Sequence, residues 1–214
     1  MNPNPQAFVL RETDSRGVVK LTLNRPESFN ALSQGMLSAL QREFDALQAD
    51  ESVRVVILAA AGKAFCAGHD LKEMRKEPSL QYYQALFAQC TKARVQGMVT
   101  AAGCQLVAMC DLAVAASTAQ FAVSGVRFGL FCSTPSVALS RNVGRKAAFE
   151  MLVTGDFISA DAARDKGLVN RVADADVLDE AVEQLVAAIL SKPRVAIAMG
   201  KQLFYRQLEK GIAA

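Results

Sequence analysis

Residues 53–60, "VRVVILAA", form a run in which nearly every position is apolar. A half-exposed strand alternates and a half-exposed helix repeats every three or four residues, so a short run with no polar face has to be covered on both sides. Its Val and Ile residues are β-branched and favour extended backbone. The run therefore predicts a parallel strand in the middle of a sheet. Parallel neighbours need crossover connections, and two covered faces need helices. An all-helical bundle and a one-sided antiparallel sheet are excluded, and an α/β fold is expected.

The segments on either side fit that frame. "FVLRETD" at 8–14 and "GVVKLTLN" at 17–24 are separated by Ser15, Arg16 and Gly17, which predicts a β-hairpin. After a turn at Pro26, Leu37, Leu40, Phe44 and Leu47 recur three or four positions apart between Ser33 and about Gln48, the spacing of one helix face. Strand, helix and strand make a βαβ unit. The loop "AGKAFCAGHD", 61–70, follows at the carboxyl end of the apolar strand, where α/β sheets place their ligands. "DLKEMRK" at 70–76 and "SLQYYQALFAQC" at 79–90 carry helical patterns. In "GMVTAAGCQLVAMCDLAV", 97–114, the small residues Ala101, Ala102 and Gly103 precede a helix expected from about Gly103 to Cys110. "DLAVAAS" and "QFAVS" add short strands, and further helices are expected to begin at Thr134 and Pro135, Gly144, Ser159, Asp176 and Pro193. The chain divides into a core, 1–143, and a helical region, 144–214.

Composition narrows the function. A chain of 214 residues that is 51% hydrophobic and 21% charged can bury a substantial core. A formal net charge of +3, with no cluster of Lys and Arg on one element, argues against nucleic-acid and anionic-membrane partners. The longest apolar stretches are too short to span a bilayer or are interrupted by Asp111. Five cysteines, an odd number without a CxxC pair, read as thiols of a reducing compartment. The start "MNPNPQAFVL" has no secretory or organelle pattern, so the expected location is the cytoplasm.

The features that carry chemistry are two loops of small residues. A helix beginning beside Ala101, Ala102 and Gly103 presents unpaired N–H groups and the positive end of its dipole. "FCAGHD" offers a second set of amides around Gly68, which permits a tight turn. Two convergent amides would form an oxyanion hole, worth about 3 to 4 kcal/mol per donor to a carbonyl oxygen gaining charge. Close helix packing accounts for the same small residues, and the motif alone does not separate the two readings. No GxGxxG follows the first strand, which argues against a dinucleotide fold.

Four segments, "VKLTLNRPESFNAL", "VRVVILAAAGKAFCAGHDLKEM", "GMVTAAGCQLVAMCDLAVAASTAQFAVSGVRFGL" and "EMLVTGDFISADAARDKGLVNRV", resemble successive parts of the enoyl-CoA hydratase/isomerase (crotonase) superfamily, in order and over nearly the whole chain. The resemblance implies a spiral of ββα units with a C-terminal helical region. It implies an acyl-CoA thioester as ligand, coenzyme A being part of the substrate, with no separate cofactor and no metal. Assembly as a homotrimer or a dimer of trimers is implied as well. The backbone amides of His69 and Ala102 would be the oxyanion donors. Substrate would run along Phe29, Ala31, Ala67, Gly68, Asp70 and Leu71, with Arg25 facing the phosphates and Leu130 and Cys132 near the acyl group. Asp70 is also expected to brace its loop.

The sequence departs from the family pattern where hydratases carry two glutamates, because those positions hold Gln105 and Gly125. An amide has no pKa suited to moving a proton, and each missing general acid or base costs roughly 10²- to 10⁴-fold in rate. An enzyme that stabilises a thioester enolate therefore stands beside two alternatives. One is a protein that binds acyl-CoA without turnover; the other is a decarboxylase or thioesterase that uses the imidazole of His69, the only histidine. Cys132 is a thiol with no visible base, and a zinc site at Cys66 and His69 lacks further ligands. Between His69 and Ala102 the chain is shorter than the family pattern. "QCTKARVQG" lacks the apolar strand expected before the second loop, which predicts residues omitted between Lys92 and Ala93. The chain also stops at "LEKGIAA", ahead of the C-terminal helices that the resemblance implies.

Overall fold

The computed structural model describes residues 7–70 and 91–208. Leu71 and nearly all of the helical patterns expected between 70 and 90 lie outside the described residues. β1 (Val9–Thr13) and β2 (Val18–Leu23) form the antiparallel hairpin, with Gly17 at φ +78° in its turn. α1 (Gln34–Gln48) starts at Ser33, whose hydroxyl accepts the Met36 N–H at 3.2 Å, and it buries Met36, Leu40, Phe44 and Leu47. The chain continues through β3 (Val55–Ala60), β4 (Ala64–Cys66), β5 (Thr91–Val95), β6 (Met98–Thr100), α2 (Ala102–Met109), β7 (Leu112–Ala116) and β8 (Gln120–Ala122). Then come α3 (Ser133–Asn142), α4 (Arg145–Thr154), β9 (Ile158–Ser159), α5 (Ala160–Asp165), β10 (Arg171–Ala173), α6 (Leu178–Leu190) and α7 (Arg194–Gln207). Among the described residues no helix is long and apolar enough to cross a membrane.

From β3 to β8, successive strands alternate between two sheets; β9 then pairs with β8 in the smaller sheet and β10 returns to the larger. The larger runs β1-β2-β3-β5-β7-β10, parallel from β2 across, and the smaller runs β4-β6-β8-β9. One strand of each sheet followed by a helix, as in β5, β6 and α2, makes one turn of the expected ββα spiral. β3 is buried throughout because different layers cover its two faces. Val56, Leu58 and Ala60 join the main core between the sheets. Val55 and Ile57 meet Leu178, Val182, Leu185 and Val186 of α6 on the other side.

The strand that the sequence reading did not find in "QCTKARVQG" is present. β5, in "TKARV", runs between β3 and β7 and continues in register from Lys92, opposite Leu112, to Ala93, opposite Ala113. Its polar composition hid it. Only Ala93 and Val95 need to face the core, and both are fully buried. Arg94 points the other way, where its guanidinium pairs with Asp179 near the start of α6.

Candidate functional site

The loop after β4 and the start of α2 meet at a close approach. Gly68 has φ +93°, and a Cβ there would lie 3.0 Å from Ala101 Cβ and 3.4 Å from Ala102 N. Glycine alone combines that backbone angle with that spacing. The loop is pinned through its carbonyls: Thr100 Oγ1 donates to Ala67 O at 2.8 Å, and the Leu32 N–H donates to Gly68 O at 2.8 Å. The Asp70 N–H donates in turn to Leu32 O at 3.1 Å, so His69 faces Leu32 in a parallel bridge. In such a bridge the flanking residues make both bonds, and the N–H of His69 itself points away from Leu32.

On the other side, Ala101 has φ 49° and ψ −115°, held by its own N–H to Ala122 O at 3.0 Å. An alanine held in such a sparsely populated region carries roughly 1 to 3 kcal/mol of strain. The consequence is an abrupt helix start. Ala102 is the first residue of α2, where N–H groups have no acceptor within the helix. Ala102 through Ala108 are all buried, so the amide dipoles act in a low-dielectric setting. The third small residue has a different cause. A Cβ on Gly103 would stand 2.4 Å from Cys66 O, so Gly103 lets α2 lie against the end of β4.

A third segment ties these loops together. Phe29 and Asn30 have φ 50° and 54°, and Phe29 O accepts the Ala67 N–H at 3.0 Å. Asn30 is fully buried; its Nδ2 donates to Ala61 O and Ala64 O, both at 2.9 Å, and its Oδ1 accepts the Arg25 N–H at 2.8 Å. The neighbouring Ala31 N–H donates to Ser28 O at 3.0 Å, closing that turn. Arg25 Nη1 reaches Asp70 Oδ2 at 2.8 Å, so Asp70 is braced by a side-chain ion pair, and Arg25 is engaged at the loop itself. Lys63 Nζ, 5.3 Å from the centre of the Phe29 ring, sets a second cation beside this segment.

The groups available for proton transfer are few. Gln105 is 3% exposed, its Nε2 lies 3.6 Å from Met109 Sδ, and its Oε1 has no hydrogen-bond donor among the described residues. Gly125 sits in a 3-10 turn, Ser124–Phe128, where a Cβ would come within 2.6 Å of both Cys132 Sγ and Leu130 O. The thiol of Cys132 thus fills the space in which a side chain at 125 would begin. Burial pushes the Cys132 thiol up, a backbone hydrogen bond at Gly125 opposing it in part. Burial also pushes Cys66 up to about 12 and Cys104 further still. These thiols are protonated near neutral pH. Burial pushes His69 in the opposite sense, below its ordinary value, which holds the imidazole neutral. Leu130 is half exposed at the edge of the same turn.

The structure therefore brings Ala67, Gly68, His69 and Asp70 against Ala101 and Ala102, with Arg25, Phe29 and Ala31 on the adjoining segment. Gly125, Leu130 and Cys132 form a separate cluster. Sequence reasoning singled out Ala101 for its size but missed Asn30 and Thr100 as residues that fix this geometry. The signal for Asn30 was its tolerance of left-handed backbone beside a turn; Thr100 carried none.

Comparison with known proteins places the whole chain beside one family. The model of the enoyl-CoA hydratase/isomerase family matches residues 13–214. The mitochondrial enoyl-CoA hydratase domain-containing protein 3 of Xenopus laevis is 42% identical over 209 residues, covering 92% of this chain and 71% of that protein. A crystal structure of an enoyl-CoA hydratase from Mycobacterium smegmatis superposes with a TM-score of 0.90 at 62% identity, covering 96% of this chain and 85% of that one. The human enoyl-CoA hydratase domain-containing protein 3 superposes with a TM-score of 0.87 at 38% identity, over 96% of this chain and 86% of that one.

Proposed function

The chain belongs to the enoyl-CoA hydratase/isomerase family, the crotonase superfamily, and from that premise we propose that it binds an acyl-CoA thioester and stabilises the derived enolate between the amides of His69 and Ala102. The observation that carries this reading is the approach of the two loops at Gly68, where a Cβ would lie 3.0 Å from Ala101 Cβ and 3.4 Å from Ala102 N. Loss of a proton from the carbon next to the thioester moves charge onto the carbonyl oxygen. Two main-chain donors held by rigid loops meet that charge without reorganising. Coenzyme A arrives with the substrate, along Phe29, Ala31 and the Ala67 loop, with Lys63 and Arg25 as the cations nearest that path.

A second reading, binding without turnover, draws support from Gly125. Because a side chain there meets Cys132 and the Leu130 carbonyl, that position supplies no acid or base. Family membership supports an enzyme; this feature supports a binder. Mixing the protein with enoyl-, malonyl- and saturated acyl-CoAs, then measuring affinity by calorimetry and products by chromatography, separates them. Turnover establishes the enzyme, and affinity without turnover establishes the binder. No affinity for any probe refutes both. Activity lost in His69→Ala, which keeps the backbone donor, would assign the chemistry to the imidazole, as a decarboxylase or thioesterase requires.

Exposed Phe128, Phe131 and Phe149, with Met199, Leu203 and Phe204 on α7, support burial against further copies of this chain as a homotrimer. Light scattering reads the copy number. The described cysteines, Cys66, Cys104, Cys110 and Cys132, are not joined by disulfides, which supports a reducing compartment such as the cytoplasm.

A further inference from the structure

The N–H groups of His69 and Ala102 belong to peptides that are held in the same way. In each loop the residue before the donor has an unusual torsion, φ +93° at Gly68 and φ 49° at Ala101. In each, the carbonyl of that residue accepts a main-chain N–H, Gly68 O from Leu32 at 2.8 Å and Ala101 O from Gln105 at 3.2 Å. A trans peptide sets its N–H opposite its C=O, so both donors turn away from those partners.

The third anchor, the N–H of the residue before the donor, meets a cysteine in both loops. The Gly68 N–H donates to Cys66 Sγ at 3.4 Å. The Ala101 N–H donates to Ala122 O at 3.0 Å, and the Cys104 thiol reaches the same carbonyl and Val99 O, each at 3.2 Å. Cys104 thus ties the first turn of α2 to the carbonyl that holds Ala101. Cys66 backs onto that turn as well, because a Cβ on Gly103 would stand 3.1 Å from Cys66 Cβ. Both thiols are fully buried, where no water competes for a weak hydrogen bond. Burial also keeps them protonated, so Cys104 has an S–H to donate. Valine would fill much the same space and could join none of these bonds.

We infer that Cys66 and Cys104 are positioning residues, whose thiols lock the torsions of Gly68 and Ala101 and so aim the two donor amides. The inference rests on the oxyanion reading above and adds the groups that keep that site in shape. Neither sulfur touches the ligand; each acts through the main chain.

The test uses acetoacetyl-CoA, whose enolate absorbs in the near ultraviolet and is the charged form that an oxyanion hole favours. The readout is the ratio of enolate to ketone in the bound ligand over a pH series, with butyryl-CoA affinity and the urea midpoint as controls. The parent protein should raise that ratio above its value in water. Cys104→Val and Cys66→Ala should each lower it about tenfold at nearly unchanged butyryl-CoA affinity. Cys104→Ser and Cys66→Ser, whose hydroxyls still donate or accept, should recover part of the loss. Cys104→Ala serves if the valine variant does not fold, and each cysteine decides alone where variants of the other fail. A ratio unchanged without the sulfur, or lowered as much by serine, overturns the inference while the oxyanion reading stands. A parent protein that binds acetoacetyl-CoA without raising the ratio, or binds neither probe, overturns that reading and the inference with it.

Discussion

Two regions of the molecule, the approach of Gly68 to Ala101 and Ala102 and the cluster of Gly125, Leu130 and Cys132, are built on different principles. In the first, Gly68 and Ala101 hold unusual backbone torsions, and the side chains of Thr100 and Asn30, with the Leu32 amide, pin the surrounding carbonyls. In the second, the side chains are a glycine and a neutral thiol, while position 105, on α2, holds a buried amide. The first arrangement tolerates almost no change in shape. The second holds no carboxylate, and the space beside its glycine is closed by a thiol and a backbone carbonyl.

Substitutions can break or sharpen that contrast. The largest effect is expected from Gly125→Glu, which restores a glutamate in name but drives its Cβ to within 2.6 Å of a backbone carbonyl and the Cys132 thiol. Overpacking of this kind costs about 1 to 3 kcal/mol, so the urea midpoint should fall and no hydration of crotonyl-CoA should appear. A variant as stable as the parent and active as a hydratase would erase the difference between the two sides. A smaller effect of opposite sign is expected from Ala101→Gly. Relief of the φ 49° strain outweighs the added freedom of the unfolded chain, for a net gain of about 1 kcal/mol in chemical denaturation. A lower midpoint would mean that Ala101 is not strained.

The smallest effect is expected from pH. Burial holds the folded His69 below the ordinary 6.5, so between the two values the unfolded chain binds more protons and stability rises with pH. The contribution is complete above about pH 6.5 and is lost as pH falls through the depressed value. Denaturation midpoints measured from about pH 7.5 down to 5 should decline less steeply in His69→Gln. An identical slope in the variant would show that the imidazole is not desolvated.

Much of this molecule was legible before any coordinates. "VRVVILAA" announced a central strand because an element without a polar face has only one stable place, between two covering layers. Ser33, Ser159 and Pro193 marked helix starts because capping and proline chemistry act within a few residues. β5 was hidden for the converse reason. Arg94 in "TKARV" looks out of place in a core strand until Asp179, far along the chain, comes to meet it. The same holds at the site: the small residues beside α2 were visible, but which served packing and which served the turn was not.

What the sequence settled by itself is whatever neighbouring residues decide together: strand, helix start, the supply of amides, and the absence of carboxylates at 105 and 125. What only tertiary structure decided is how distant backbones meet. The carbonyl of Cys66 makes Gly103 obligatory, the carbonyl of Leu130 closes position 125, and no donor reaches Gln105 Oε1 among the described residues. These are contacts between segments remote in sequence, and their energies depend on distances of a few ångströms that no local pattern encodes.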